Sequence, residues 1–494
     1  MKLQKNTLIL WGILALALLV RLWHSTTIAL WHDEAFSALL IQMPFPEMMR
    51  RIALDVHPPL YYWLLRLWSG ALGVELWSLR GFSVFFGFLS VPMLYALVKA
   101  ITKKANFALA ASALLAVNPF HIQYSLEARM YTLGTFLILL STWVMYRAIK
   151  TNEWRWWVSF GILTAAAAYN HYFMFFSLLS QGLFLIVWWF KNRSEFGFRW
   201  AAAYILAVGL YSPWLAAFWK QFTQVQENFW IPPTTIGAIG DAIWKILLGG
   251  FASAEKNILI VSAIFLAVIL LVYLFRFGKN PENWLLPAMG FFPFILATLF
   301  SLKTSLFLDR YFIFASVFIT ATIALALFST KHRKLGASLI IIVMLASIVQ
   351  YASAWQSLDA DRRPGMAAAS RYLTENANPE EKVAVSSTFI YFTHRYYNML
   401  QGEQISEPKL YLQGISEIRQ LPHFSGTALL ENKDLLGNLA QFAERGETVW
   451  LLWTTGFGGS KPEAPDSWSQ TGEQKFPDVF QHKGDIFVTR FRAN

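Results

Sequence analysis

Eleven apolar runs, at residues 7–23, 80–100, 105–118, 131–149, 155–169, 173–190, 199–215, 257–275, 284–301, 311–329 and 335–351, dominate this chain of 494 residues. Most approach the roughly 20 residues that cross a bilayer as a helix. Backbone groups in hydrocarbon must find partners within their own segment, so runs of this kind predict a bundle of membrane helices. Composition agrees, with 56% hydrophobic and only 14% charged residues, where soluble domains carry about 25% charged. The net charge of +11 is accordingly read as an orientation signal and not as a nucleic-acid footprint. With no cysteine in the chain, disulfides and thiolate metal sites are excluded. No small-residue cleavage site follows KNTLILWGILALALLVRLW, so the first run is expected to stay in place as a helix.

Every second short connection is basic: Lys2 and Lys5; Lys103 and Lys104; Lys150 and Arg155; Lys191, Arg193 and Arg199; Arg276 and Lys279; Lys331, Arg333 and Lys334. Basic short loops face the cytoplasm. That places the N-terminus inside and leaves three large pieces outside: residues 24–79, a loop over 216–256 containing ENFWIPPTT, and a tail over 352–494. In the tail, KVAVSS, TVWLLW and DIFVTRF read as strands and NKDLLGNLAQFAERG as a helical pattern. The predicted fold class is a polytopic α-helical membrane protein of about eleven spans, residues 1–351, followed by a small extracytoplasmic α/β domain, residues 352–494.

The polar residues with chemical capacity gather on the predicted outer side. WHDEAFSALL carries Asp33 and Glu34; DVHPPLYYWLL carries Asp55, His57 and Tyr61; SLRGFSVFFG carries Arg80. HIQYSLEARMYTL carries Glu127, Arg129 and Tyr131, NHYFMFF carries His171, and LKTSLFLDRYF carries Lys303, Asp309 and Arg310. Each has a plainer reading. Asp33 suits the N-cap of a helix, Asp55 a rigid proline turn, and Glu127–Arg129 or Asp309–Arg310 a local ion pair of small worth. Their shared location argues for more, because charge beside hydrocarbon is costly and tends to mark function. Carboxylates supply a base, and clustered Arg, Lys and His supply a clamp for phosphate. Group transfer from a phosphate-linked lipid to an acceptor hydroxyl fits that combination. A transporter or flippase of a lipid-linked sugar is the competing reading. Such proteins tend to hold their binding residues near the midplane, with repeat symmetry.

Taken in order, these motifs resemble glycosyltransferase family 39 of the GT-C membrane superfamily. WHDEAFS is similar to that family's Asp-Glu motif, DVHPPL to the loop motif of protein O-mannosyltransferases, and LRGFSVFFGFLSVP to their second helix. YSLEARMYTL, HYFMFF and DRYF are similar to features of the bacterial branch that contains the aminoarabinose transferases. The resemblance covers roughly residues 1–351. It implies a polyprenyl-phosphate-linked sugar donor and inverting transfer to a lipid, glycan or protein acceptor outside a bacterial plasma membrane. Asp33 would be the general base and Glu34 an orienting group. Arg80, Arg129, Lys303 and Arg310 would hold the donor phosphate, with Asp55, His57, Tyr61, Glu127, Tyr131 and His171 in support. No essential metal or cofactor is implied; were a hard divalent cation bound, Asp33 and Glu127 are the carboxylates placed to hold it. Two departures leave the acceptor open. Residues 302–310 have no room for the lumenal insertion of the protein O-mannosyltransferases, and Tyr61–Tyr62 stand where those enzymes have Lys or Ala-Lys.

Overall fold

The computed structural model describes residues 2–192, 197–227, 231–249, 256–330, 332–479 and 484–494. Arg193 and Lys331, and residues 228–230 and 250–255 of the expected outer loop, lie outside the described residues. The helices are α1 (Lys2–Leu22), α2 (His32–Leu40), α3 (Phe45–Leu54), α4 (Leu60–Leu72), α5 (Leu76–Thr102), α6 (Ala105–Ala116), α7 (Pro119–Ser125), α8 (Tyr131–Thr151), α9 (Trp154–Ala168) and α10 (Met174–Lys191). They continue as α11 (Arg199–Tyr211), α12 (Leu215–Glu227), α13 (Ile236–Leu248), α14 (Lys256–Phe277), α15 (Leu285–Ser301), α16 (Ile313–Phe328) and α17 (Arg333–Leu358).

Among the described residues, nine helical stretches are long and apolar enough to cross a membrane. Two of the eleven expected runs behave differently. The run at 105–118 is a bent pair, α6 and α7, that turns through 59°. The run at 155–169 is α9, a helix of 15 residues, short of a full span. The bend is written in AVNPF. Asn118 sits in extended backbone, its side chain accepts the His121 N–H at 2.9 Å, and Pro119 opens the new helix. The carbonyls left open at the end of α6 are taken by Arg21, which donates to Ala116 O at 2.9 Å and Leu115 O at 3.2 Å. α5 closes on α7 from the other side. Gly87 makes this approach possible, since a Cβ there would lie 2.3 Å from Ser125 Oγ.

The first outer piece is not an open loop. It folds into α2, α3 and α4, three short helices, of which α3 packs on α12 and α4 on α5, while α2 packs chiefly on the C-terminal domain. Beyond the bundle, α17 runs past residue 351 to Leu358. The tail then gives α18 (Gly365–Asn376), α19 (Thr388–Leu400) and strands β1 (Lys382–Val385), β2 (Lys409–Tyr411), β3 (Leu435–Leu436), β4 (Thr448–Thr454), β5 (Trp468–Pro477) and β6 (Asp485–Ala493). They form one sheet in the order β3-β2-β1-β4-β6-β5. β1 to β4 are parallel, and β4–β6 and β5–β6 are antiparallel. The three expected strands are β1, β4 and β6. The expected helix over NKDLLGNLAQFAERG is instead two 3-10 turns around β3. Asn438 caps the second turn through Ala440 N, and Gly437 weakens any continuous helix.

This domain sits on the outer helices of the first piece. Leu30 N donates to Tyr397 Oη at 2.9 Å, and Tyr396 Oη donates to Val74 O at 2.9 Å. Arg51 of α3 donates to the carbonyls of Ala428 and Leu430 and pairs with Glu431.

Candidate active site

α2 begins at His32, with extended Trp31 as its cap. The capping carboxylate is that of Glu34, which accepts the Trp31 N–H at 3.3 Å. Asp33 is therefore not used in capping, contrary to the plainer sequence reading. Consecutive helical residues point about 100° apart, and the two acids diverge accordingly. Glu34 turns inward and is fully buried. It accepts Arg80 Nε at 2.9 Å, Arg80 Nη2 at 2.8 Å and Ala128 N at 2.8 Å. Arg80 spends its other donors on the carbonyls of Ser25, Ile28 and Ala29. This corrects the phosphate role expected of Arg80: its guanidinium is enclosed and tied to α2, and it does not reach the cavity described next.

Asp33 turns outward into a cavity of about 580 Å³ at the junction of the bundle and the C-terminal domain. Seven of the expected residues line it: Asp33, Asp55, His57, Arg129, Tyr131, His171 and Arg310. Its remaining wall is a trough of phenylalanines from α10, α12 and α15, including Phe175, Phe218 and Phe300. Asp33 Oδ2 lies 4.0 Å from Arg129 Nε, with the Asp33 side chain 28% exposed. Arg129 also donates to Asp33 O at 3.2 Å and Ser37 Oγ at 3.1 Å. Its Nη2 stands 3.4 Å from His57 Nε2, and His57 Nδ1 stands 3.2 Å from Asp55 Oδ2. With the Nδ1 proton donated to Asp55, the ring offers its Nε2 lone pair to Arg129. Burial raises the Asp33 carboxyl, but Arg129, then Arg310 and the neighbouring histidines, outweigh it and hold it below the ordinary carboxylate range.

Arg310 arrives on a 3-10 turn, Asp309–Phe312, ahead of α16. Its neighbour Asp309 pairs with Lys245 of α13 at 2.8 Å and accepts the backbone N–H of Arg310 at 2.8 Å. The local ion pair of the plainer reading is thus replaced by one to another helix. His171 is brought in by Asn170, which donates to Met130 O at 3.1 Å. Burial holds the His171 imidazole well below its usual value, with His57 and Arg129 adding to the effect.

The other expected residues lie elsewhere. Tyr61 is buried behind the cavity in edge contact with Tyr62 and Phe82. Glu127 is part-buried and off the cavity wall, and burial and then Glu34 push its carboxyl up to about 8. Lys303 is exposed and off the cavity wall; Thr304 and Leu306 line the wall in its place. Among the described residues no three His, Asp or Glu side chains converge as a metal set. Several lining residues were not singled out from the sequence. Gln221 of α12 donates to Ile52 O at 2.7 Å and so fixes the end of α3. Tyr311 lies in the DRYF motif itself. His32, His423 and three phenylalanines of the C-terminal domain complete the roof.

Residues 56–217 match the family model of dolichyl-phosphate-mannose-protein mannosyltransferases. That stretch holds His57, Arg129, Tyr131 and His171 but not Asp33 or Arg310. The fold aligns with ArnT from Cupriavidus metallidurans bound to undecaprenyl phosphate, at 12% identity and a TM-score of 0.61, over 97% of each chain. The chain has the GT-C fold. The same ArnT in the apo state aligns at 11% identity and a TM-score of 0.59, again over 97% of each chain. No curated protein matches this chain by sequence. The GT-C likeness read from the motifs is borne out, and it runs beyond residue 351 to take in the C-terminal domain.

Proposed function

We propose that this multi-pass membrane protein is a glycosyltransferase that moves a sugar, a hexose or a pentose, from a polyprenyl-phosphate carrier to an acceptor hydroxyl on the outer face of a bacterial plasma membrane. Residues 1–351 form the membrane catalytic unit in this reading, with the N-terminus cytoplasmic and residues 352–494 outside. One observation carries it: the Asp33 carboxylate faces Arg129, with Arg310 beside them, where an aromatic apolar trough meets a polar cavity. The trough suits a prenyl chain and the guanidinium pair suits its phosphate. The mannosyltransferase family match over 56–217 and the ArnT bound to undecaprenyl phosphate support the donor class.

Asp33 takes the proton of the acceptor hydroxyl as its oxygen attacks the anomeric carbon. The bond from that carbon to the phosphate oxygen breaks, the configuration inverts, and polyprenyl phosphate leaves. Arg129 and Arg310 meet the charge that grows on the leaving phosphate. His57 holds Arg129 from behind, and Asp55 holds His57. Glu34 and Arg80 position α2. As proposed, the step uses protein groups alone, so added chelator should leave the rate unchanged. The test is purified protein supplied with a panel of undecaprenyl-phosphate sugars, with Asp33→Asn as control. The variant should fold and lose turnover roughly a hundredfold or more. A variant that turns over at the wild-type rate refutes the base assignment.

A further inference from the structure

The C-terminal domain presents a particular edge to the cavity. From β1 the chain crosses to β2 and β3 on one side and returns to β4 on the other, so β1 and β4 flank the topological switch point. Open α/β sheets bind ligands in the crevice beyond the C-terminal ends of such strands. The connections that leave those ends carry Phe389, just after β1, and Phe457, just after β4. Both line the cavity. Their rings stack with centroids 4.0 Å apart and 10° between planes. Phe457 is held at φ +56°, a strained backbone for a residue with a side chain.

His423 joins them from a 3-10 turn, His423–Ser425. The residue is 9% exposed, lines the cavity, and has a buried Nδ1 with no hydrogen-bond partner among the described residues. A buried imidazole nitrogen without a partner costs free energy that a ligand's polar group restores. The turn is tightly built: Gly426 lies at φ +75°, and a Cβ there would meet Phe392 at 2.3 Å. Burial lowers the His423 imidazole below its usual value, so it offers a hydrogen bond and not a charge.

We propose that the C-terminal domain forms the acceptor half of the catalytic cavity, seating a hydroxyl-bearing saccharide against Phe389 and Phe457 with His423 bonded to one of its hydroxyls. This rests on the glycosyltransferase reading. Aromatic faces suit the apolar C–H face of a sugar ring, and an uncharged imidazole suits a hydroxyl. Both cations that line the cavity, Arg129 and Arg310, belong to the bundle, and the described residues of the roof add none. Among the described residues, a phosphorylated or acidic acceptor finds no countercharge on that side.

The experiment uses the full-length protein, undecaprenyl-phosphate sugars as donors, and two acceptor probes, short-chain alkyl glycosides and a serine- and threonine-rich peptide. For His423→Ala, the acceptor KM toward the alkyl glycoside should rise about tenfold, the loss expected of one hydrogen bond in a dry pocket, while donor KM holds. His423→Gln, which keeps a neutral hydrogen-bonding group, should recover part of it. Phe457→Leu, a milder change should the alanine variant fail to fold, should raise acceptor KM alone. Unchanged acceptor KM in all variants overturns the proposal, as does a rise in donor KM instead. Wild-type transfer to the peptide and to no alkyl glycoside overturns the saccharide assignment while leaving the glycosyltransferase reading intact. Failure of the wild-type protein to cleave any donor removes that reading and the proposal with it.

Discussion

Glu34→Gln should unfold this protein more readily than Asp33→Asn, although the two acids are neighbours in sequence. The Glu34 carboxylate is fully buried and accepts two N–H groups of Arg80, the amide of Ala128 and the amide of Trp31. A glutamine keeps one oxygen, turns an NH2 toward donors, and leaves the Arg80 charge enclosed without its counterion. Breaking one partner of a buried pair costs about 3–5 kcal/mol, a large part of the roughly 5–15 kcal/mol that separates folded from unfolded domains. Asp33 loses far less. Its carboxylate is part-exposed and stands 4.0 Å from Arg129, worth about 1 kcal/mol or less. Thermal unfolding of the two purified variants in one detergent, followed by tryptophan fluorescence, separates them. Glu34→Gln should show the larger drop in midpoint and in yield of folded protein; Asp33→Asn should keep its midpoint and lose turnover. A Glu34→Gln protein with the wild-type midpoint and no turnover would refute the reasoning, because Glu34 would then act on substrate.

Arg129→Lys and Arg310→Lys should each lower kcat/KM for the donor about tenfold or more, since an ammonium copies bidentate contact poorly; Arg80→Lys should instead lower folded yield, and a donor effect in Arg80→Lys alone would reverse the assignment. Glu127 gives a pH signature. Its carboxyl stands at about 8 in the folded protein against 4.5 as the ordinary value, so between those limits the folded protein keeps a proton that the unfolded chain has lost. Stability from this group is full below 4.5, declines as pH rises toward 8, and levels off above. Thermal midpoints of Glu127→Gln should lose that decline, and an unchanged pH slope would refute it. Protease added to right-side-out cells should trim the C-terminal domain; protection until lysis would invert the orientation.

The bundle was legible because hydrocarbon leaves a chain few choices, and nine of the apolar runs fall in helical stretches long enough to span, the run at 199–215 by continuing from α11 through a 3-10 turn into α12. The elbow at Asn118–Pro119 was legible in principle, since cap and proline stand together, but the apolar run through it hides the break. A helix opening near Asp33 was legible as a capping pattern, whereas α3 and α4 were not placed, because each is short and takes its stability from packing on neighbouring helices. β5 was missed for a related reason: WSQTGEQKFP is mostly exposed along its length, so no alternation of apolar residues announces an edge strand. Site residues divide in the same way. Asp33, His57, Arg129 and Arg310, all taken from the motifs, line one cavity. The motifs did not reveal that Arg80 is consumed by Glu34, because a charge seen in sequence carries its depth but not its partner. The roof residues His423, Phe389 and Phe457 lie in a domain whose sequence carries no motif for a site, and only the docking of that domain brings them to Asp33.

Arg21 carries a consequence for how the chain is built. Its guanidinium is fully buried and takes the carbonyls of Ala17, Leu115 and Ala116 and the ring nitrogen of His121. Most of those partners are synthesised some 95 residues later. Until α6 and α7 enter the membrane, the charge at the end of α1 has, beside the carbonyl of Ala17 in its own helix, only water at the bilayer surface to turn to. α1 should therefore settle fully only once α6 and α7 are in place. A nascent chain stalled before residue 116 should leave α1 shallow enough for a reagent in the water phase to reach residue 21.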